Sequence, residues 1–360
     1  MPRSGFAHLP LHNGKAPRWL FTLMTQLARE ITRAIVNNAG SQEFLRRISD
    51  PIWFQALGCV LGFDWHSSGV TTTVCGALKE GIKGLEGELG IFIAGGKGRS
   101  SRKTPQHITD YCQFLAPQLN PALLIEKSRL SAKIDNTALQ DGYQLYHHTF
   151  FFNRNGHWAV VQQGMNEENR YARRYHWLSE TITDMVNEPH AGVCCDVKTQ
   201  PLNLVARQSS DSRLAITTLT REHPEKNLRE FKKISALTLP AHHPVYWSDV
   251  QPRHLEKVLI STYERSPADF KQVLLTPGLG PKSLRALTLL AEVVLGAKPS
   301  FEDPVQYSFS HGGKDGYPYP VNRSIYERSI FVLREAVDKA RVGEYEKMRA
   351  LKRLETYYSL

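Results

Sequence analysis

The sequence predicts an α+β fold: a mixed N-terminal domain with a small sheet, followed by a mainly helical C-terminal domain. Three observations predict it. Apolar residues recur at helical spacing near the start (Leu20, Met24, Leu27, Ile31, Ile35). Between residues 145 and 163 the pattern is that of two strands meeting at a turn, and beyond Arg207 it is again mainly helical. The 360 residues leave room for two domains of ordinary size, and the change of pattern puts their boundary at 215/216.

In chain order, the first helix covers 16–38, with Pro17 suited to its first turn, and a second covers 41–48. An apolar, Gly-punctuated run at 54–63 leads to Asp64-Trp65-His66-Ser67-Ser68-Gly69, which presents an acid, an imidazole and a hydroxyl where the next helix, 70–82, begins. Ser67 and Ser68 suit a helix cap equally well. A short buried strand at 89–94 breaks at Gly95-Gly96-Lys97-Gly98, and 130–134 reads as another strand. Strands at 145–153 and 157–163 are joined through Asn153-Arg-Asn-Gly156, a good hairpin turn. The C-terminal half has loops at 240–244 and 312–320, and 324–354 reads as a long charged helix or a pair of helices.

A formal net charge of +10 exceeds what solubility requires and favours a polyanionic partner, because Lys and Arg on phosphates release condensed counterions. The five cysteines are an odd set without repeated C-x-x-C spacing, which excludes a disulfide framework and a zinc ribbon. No apolar run reaches the roughly 18 residues of a membrane span, and the first residues, MPRSGFAHLPLHNGK, lack a signal-peptide core. A cytoplasmic location, in contact with the nucleoid, is expected.

The strongest motif lies at 270–287: an apolar helix, a bend of the form Pro277-Gly278-Leu279-Gly280, and a second helix that begins at once. Two glycines permit a tight turn and let backbone N–H groups approach a phosphate closely. The second helix points its positive N-terminal end at the same anion. Lys282 adds charge just inside that helix, and Leu279 packs inward to hold the bend. The segment 268–295 resembles the helix-hairpin-helix DNA-binding superfamily, which implies contacts with the DNA backbone, mediated by Pro277, Gly278, Gly280 and Lys282, and little base preference. In base-excision glycosylases that share this motif, the second helix ends in a Gly-Pro-rich loop carrying a catalytic Asp. Residues 296–303 resemble that loop and offer Asp303 as the acid, although the helix is longer here and Pro304 follows directly.

The stretch 135–176 is dense in reactive side chains. Asp135 is expected at a strand end and Asp141 after a short helical turn, a pair able to hold Mg2+ or Mn2+, which prefer oxygen ligands. His147 and His148 fall on opposite faces of their strand and cannot chelate one ion together, so one of them is the candidate general base towards water. Arg170, Arg173 and Arg174 fall on helical spacing with Tyr171 and Tyr175 interleaved, a set suited to grasping a nucleic-acid strand. The glycine-rich loop with Lys97 and Arg99 suits a phosphate nest. It lacks the Walker order, so nucleotide hydrolysis is unsupported. Polar turns at 188–190, 241–244 and 310–316 fix no metal site by their spacing.

Four segments resemble an uncharacterised bacterial and archaeal family known as a domain of unknown function: LPLHNGKAPRWL (9–20), GFDWHSSG (62–69), QDGYQLYHHT (140–149) and QGMNEENRYARRYHW (163–177). The likeness covers most of the chain and implies no activity. Function is therefore expected from the hairpin and the polar block: a repair-type DNA-processing enzyme, foremost a metal-dependent nuclease using Asp135, Asp141 and His147 or His148. The alternatives are a glycosylase using Asp303, with Tyr307 or Phe309 supporting an extruded base, and a DNA-binding protein without activity.

Overall fold

The computed structural model describes residues 16–63, 68–168, 171–195, 197–234 and 252–306, together with 331, 334, 335, 337, 338 and 343–358. Asp64 to Ser67, Arg170, Tyr307, Phe309 and the turns at 240–244 and 310–320 lie outside them.

Helix α1 (Arg18–Ser49) buries the predicted stripe of Met24, Leu27, Ile31 and Ile35, and it passes through Gly40, whose non-helical backbone marks the join between the two expected helices. Asp50 then caps α2 (Pro51–Leu61), accepting from the Ile52 and Trp53 amides at 2.8 and 3.2 Å with Pro51 in the first turn. Helix α3 (Gly69–Gly81) lies within a residue of its expected bounds, and the short α4 (Glu86–Leu89) leads into strand β1 (Ile91–Lys97).

Helices α5 (Arg99–Arg102), α6 (Thr104–Phe114) and α7 (Pro121–Lys133) follow. The strand expected at 130–134 is instead the end of α7 and the start of a π-helical turn (Ile134–Ala138). Asn120 caps α7 at the Ala122 amide, Pro121 suits its first turn, and Leu124, Ser128 and Ser131 are buried at helical spacing. The carboxylate of Asp135 therefore sits on a helical turn, not at a strand end.

Strands β2 (Leu139–Gln140), β3 (Gln144–Asn153), β4 (Trp158–Asn166), β5 (Tyr171–Leu178), β6 (His190–Cys194) and β7 (Leu202–Asn203) complete the β structure. β1-β3-β4-β5-β6 form one antiparallel sheet in that order, and β2 pairs with β7. The expected hairpin joins β3 to β4 and pairs Phe152 with Trp158 and His148 with Gln162. Arg173 and Arg174 lie on β5, so their expected helical spacing is overturned. Successive side chains on a strand point to opposite faces, and these two arginines therefore part company.

One sheet face (Ile93, Phe151, Val161) packs on α1, α2 and α3, while the other (Phe92, Phe150, Phe152, Val160, Trp177) packs in the second apolar cluster. Helices α8 (Ser210–Arg221), α9 (Pro224–Ile234), α10 (Pro252–Arg265), α11 (Phe270–Leu274) and α12 (Pro281–Leu295) contribute Leu219, Phe231, Val258, Val273 and Leu287 to that same cluster. Helices C-terminal to the expected boundary thus share a core with the sheet, and truncating a phenylalanine in such a core costs about 3–5 kcal/mol. Helix α13 (Glu344–Tyr358) overlaps the end of the charged stretch expected at 324–354. Among the described residues no helix is long and apolar enough to cross a membrane.

Candidate functional site

Strand β5 is the organising element of the polar core. On the face towards the second cluster, Arg173 donates to Asp141 at 2.9 Å, to both oxygens of Asp303 at 3.2 and 2.8 Å, and to the Val197 carbonyl at 3.0 Å. Its guanidinium also lies 4.6 Å from the centre of the Tyr143 ring. Burial opposes the charge, but Asp141 and Asp303 outweigh it and hold the guanidinium pKa well up. Asp141 accepts in addition from the Tyr175 hydroxyl at 2.7 Å and the Tyr143 amide at 3.0 Å. Asp303 accepts from the Thr199 and Val305 amides at 2.7 and 3.0 Å. Three residues expected in three different roles (metal ligand, strand clamp and glycosylase acid) form one buried ion cluster.

On the opposite face, both terminal nitrogens of Arg174 reach Gln55 Oε1 at 3.1 Å, and the guanidinium lies 4.7 Å from the centre of the Phe54 ring. Both arginines are fully buried. Neither can grasp a nucleic-acid strand, which corrects the expectation for Arg173 and Arg174; Arg170 lies outside the described residues.

Asp135 is equally enclosed. One oxygen pairs with His190 Nε2 at 2.5 Å, and the other accepts from Trp177 Nε1 at 2.9 Å and from the Gln162 amide. All four carboxylate oxygens of Asp135 and Asp141 already have protein partners, so a metal ion there would have to displace them. Among the described residues no group of three or more His, Cys, Asp or Glu side chains is arranged to hold a metal. All five cysteines are buried and outside any disulfide.

His147 and His148 do point to opposite faces. His148 bonds Ser128 Oγ through Nε2 at 2.8 Å and Gln162 Oε1 through Nδ1 at 2.7 Å. His147 bonds Thr149 Oγ1 through Nε2 at 2.9 Å. Burial lowers both pKa values, that of His147 to about 3. Gly95 allows β1 to approach His148: a Cβ there would run into the His148 carbonyl and lie 2.7 Å from Thr104 Oγ1. Lys97 and Arg99 are exposed on the loop that follows.

The bend at 277–280, between α11 and α12, builds a second, separate feature. Asp269 caps α11 at the Gln272 amide, Gly278 adopts φ 82°, and the Leu279 amide returns to the Thr276 carbonyl at 3.2 Å. A positive φ of this kind strongly favours glycine. Leu279 is buried as expected, whereas Pro277, Gly278 and Lys282 are exposed. Lys133 reaches across to the Leu279 carbonyl at 2.5 Å, and Gln140 bridges the Pro281 carbonyl and Arg285 at 2.8 Å each. Between this bend and the β2–β3 turn lies a cleft of about 800 Å³, lined by Gly280, Lys282, Ser283, Arg285, His254 and Gln144 among others. A Cβ on Gly280 would meet nothing within 4 Å, so its backbone is open to a close approach.

Ser128, Arg129 and the partner role of Gln162 were not singled out from the sequence. The available signal was register: a turn at 153–156 sets Gln162 opposite His148.

These features define an antiparallel-sheet protein walled by helices on both faces, with a buried ion cluster and a cleft whose mixed polar and apolar wall includes Lys282 and Arg285. The chain belongs to the DUF763 family, described as a protein of unknown function, whose model matches residues 5–321. No curated protein and no solved structure matches it.

Proposed function

We propose that this protein binds the sugar-phosphate backbone of DNA through the hairpin at 277–280 and acts on the bound DNA as a repair-type hydrolase. The supporting observation is the bare backbone of Gly280 at the N-terminal end of the 15-residue helix α12, facing the cleft of about 800 Å³ with Lys282, Arg285 and His254 on its wall beside Asp141. First-turn amides of a helix have no acceptor within it, and they carry the positive end of the helix dipole. Phosphate is the anion such a site fits, and the net charge of +10 favours its approach. The helix-hairpin-helix resemblance points to the same partner. Asp135 and Asp141 are held by protein donors and Asp303 by Arg173, so neither a metal ion on the first two nor a glycosylase acid at the third draws support from the geometry.

Fluorescence anisotropy on short duplexes of unrelated sequence tests the proposal. Affinity should be similar for all sequences and fall steeply with salt, since each phosphate contact adds about 0.9 to the log–log slope. Lys282→Ala should weaken binding to every duplex alike and lower that slope by about one. Absence of salt-sensitive binding at low ionic strength would overturn the reading.

A further inference from the structure

We propose that Ser128 is a nucleophile towards phosphodiesters, with His148 as the base that takes its proton, in a pocket distinct from the hairpin cleft. The choice of a phosphodiester rests on the DNA reading; the activation of Ser128 rests on hydrogen bonding alone.

The bonding assigns the proton. Gln162 Nε2 donates to the Ser131 carbonyl at 3.1 Å and to the Asp135 carboxylate, both of which only accept. The Gln162 amide is thereby oriented with Oε1 towards His148. His148 Nδ1 must then carry hydrogen to reach that oxygen, which leaves Nε2 as an acceptor, and the Ser128 hydroxyl donates to it at 2.8 Å. This is the arrangement of nucleophile, base and orienting group that activates a serine. Asp135 is fixed in turn by Trp177 and His190, so the chain is anchored at its far end.

The surroundings select the substrate. Ser128, His147 and His148 line a pocket of about 260 Å³ whose rim carries Arg102 and Arg129, and no Asp or Glu lines it. Both arginines are exposed. The pocket also receives Thr104 and Pro105, the first residues of the 11-residue helix α6. Cations and a helix start together suit an anionic ester. Arg129 and Lys133 stand one turn apart on the same side of α7, about 6 Å along its axis. The first is at the pocket rim and the second holds the Leu279 carbonyl of the bend, so α7 links the two sites.

In the step proposed, Ser128 Oγ bonds to phosphorus and its proton passes to His148 Nε2. The bond from phosphorus to one deoxyribose oxygen breaks, and that oxygen leaves with the proton from His148. Water then attacks the phosphoseryl link, giving one proton to His148, which returns it to Ser128 Oγ. Ser128 and His148 are the catalytic residues; Gln162 is a positioning residue.

A fluorophosphonate probe tests the nucleophile without DNA: attack by Ser128 forms the oxygen–phosphorus bond and releases fluoride. Mass spectrometry of the intact, folded chain should place the adduct on Ser128. Ser131→Ala should keep the adduct, Ser128→Ala should abolish it, and His148→Gln should slow it by about 100-fold or more. Gln162→Met should move the pH at half-maximal labelling downwards, because the bond His148 donates to Gln162 Oε1 favours the protonated ring; Asp135 and His147 are the other titratable groups acting on His148. A merely structural Gln162 would leave that midpoint in place. Failure to label Ser128 in wild-type protein that binds DNA would overturn the nucleophile. Labelling in protein that binds no DNA would overturn the DNA reading and leave the nucleophile standing.

Discussion

Acidification below about pH 6.5 is expected to destabilise the protein by about 1.4 kcal/mol per pH unit for every buried histidine that stays neutral in the fold. His147, His148 and His176 are in that position. Burial, the largest cause for each, lowers His147 to about 3, lowers His148, and puts His176 well below the ordinary value. Positive neighbours add to it, Lys97 at His147 and Arg174 at His176. In the window between the depressed folded values and the ordinary 6.5, the unfolded chain binds protons that the folded chain does not. Stability therefore stands at its plateau above that window and falls as the pH drops through it. Each of the three adds to that fall, against a typical total stability of about 5–15 kcal/mol. Urea midpoints compared at pH 7.5 and pH 5.5 check this: a marked fall is expected, and a flat midpoint would show that these rings charge freely.

Replacing Arg173 by Met should remove about 3–5 kcal/mol of stability, the usual consequence of leaving buried charge without its partner. The substituted chain would hold Asp141 and Asp303 in one buried site with no cation between them. Asp303 ties the segment after α12 to the sheet through Arg173 and through the Thr199 amide, so loosening should spread to that segment. Adding Asp141→Leu and Asp303→Leu to Arg173→Met should restore much of the loss, because an apolar cluster of similar volume often matches a buried ion group. Denaturant midpoints of the single and triple variants decide it. A single variant as stable as wild type would mean that the three charges are not coupled.

Local grammar was legible where local forces act alone. The Met24, Leu27, Ile31, Ile35 stripe, the helix at 69–81 and the turn at 153–156 each follow from spacing or from turn residues. Two misreadings share a physical origin. Leu130, Ala132 and Ile134 alternate like a strand, yet Leu130 and Ile134 are also one helical turn apart, and Asn120-Pro121 starts the helix that claims them. Arg170, Arg173 and Arg174 keep helical spacing, yet β5 is covered by helices on both faces, which removes the alternation that would betray a strand. The polar core was hidden for a different reason. Asp135 meets Trp177 and His190, which lie 42 and 55 positions away, and Arg173 meets Asp303 at 130. Density in 135–176 marked the region, but only long-range pairing decides which groups are consumed by the core and which face a pocket.

Gly280→Val examines the hairpin claim most directly. Gly280 has extended backbone at φ −125°, acceptable to any residue, and open space where a Cβ would stand. The added branches should therefore leave the melting temperature unchanged and stand where a phosphate would approach the amides. A fall of about tenfold or more in affinity for duplex DNA, with unaltered melting, is the predicted result. Equal affinity in an equally stable variant would contradict the account.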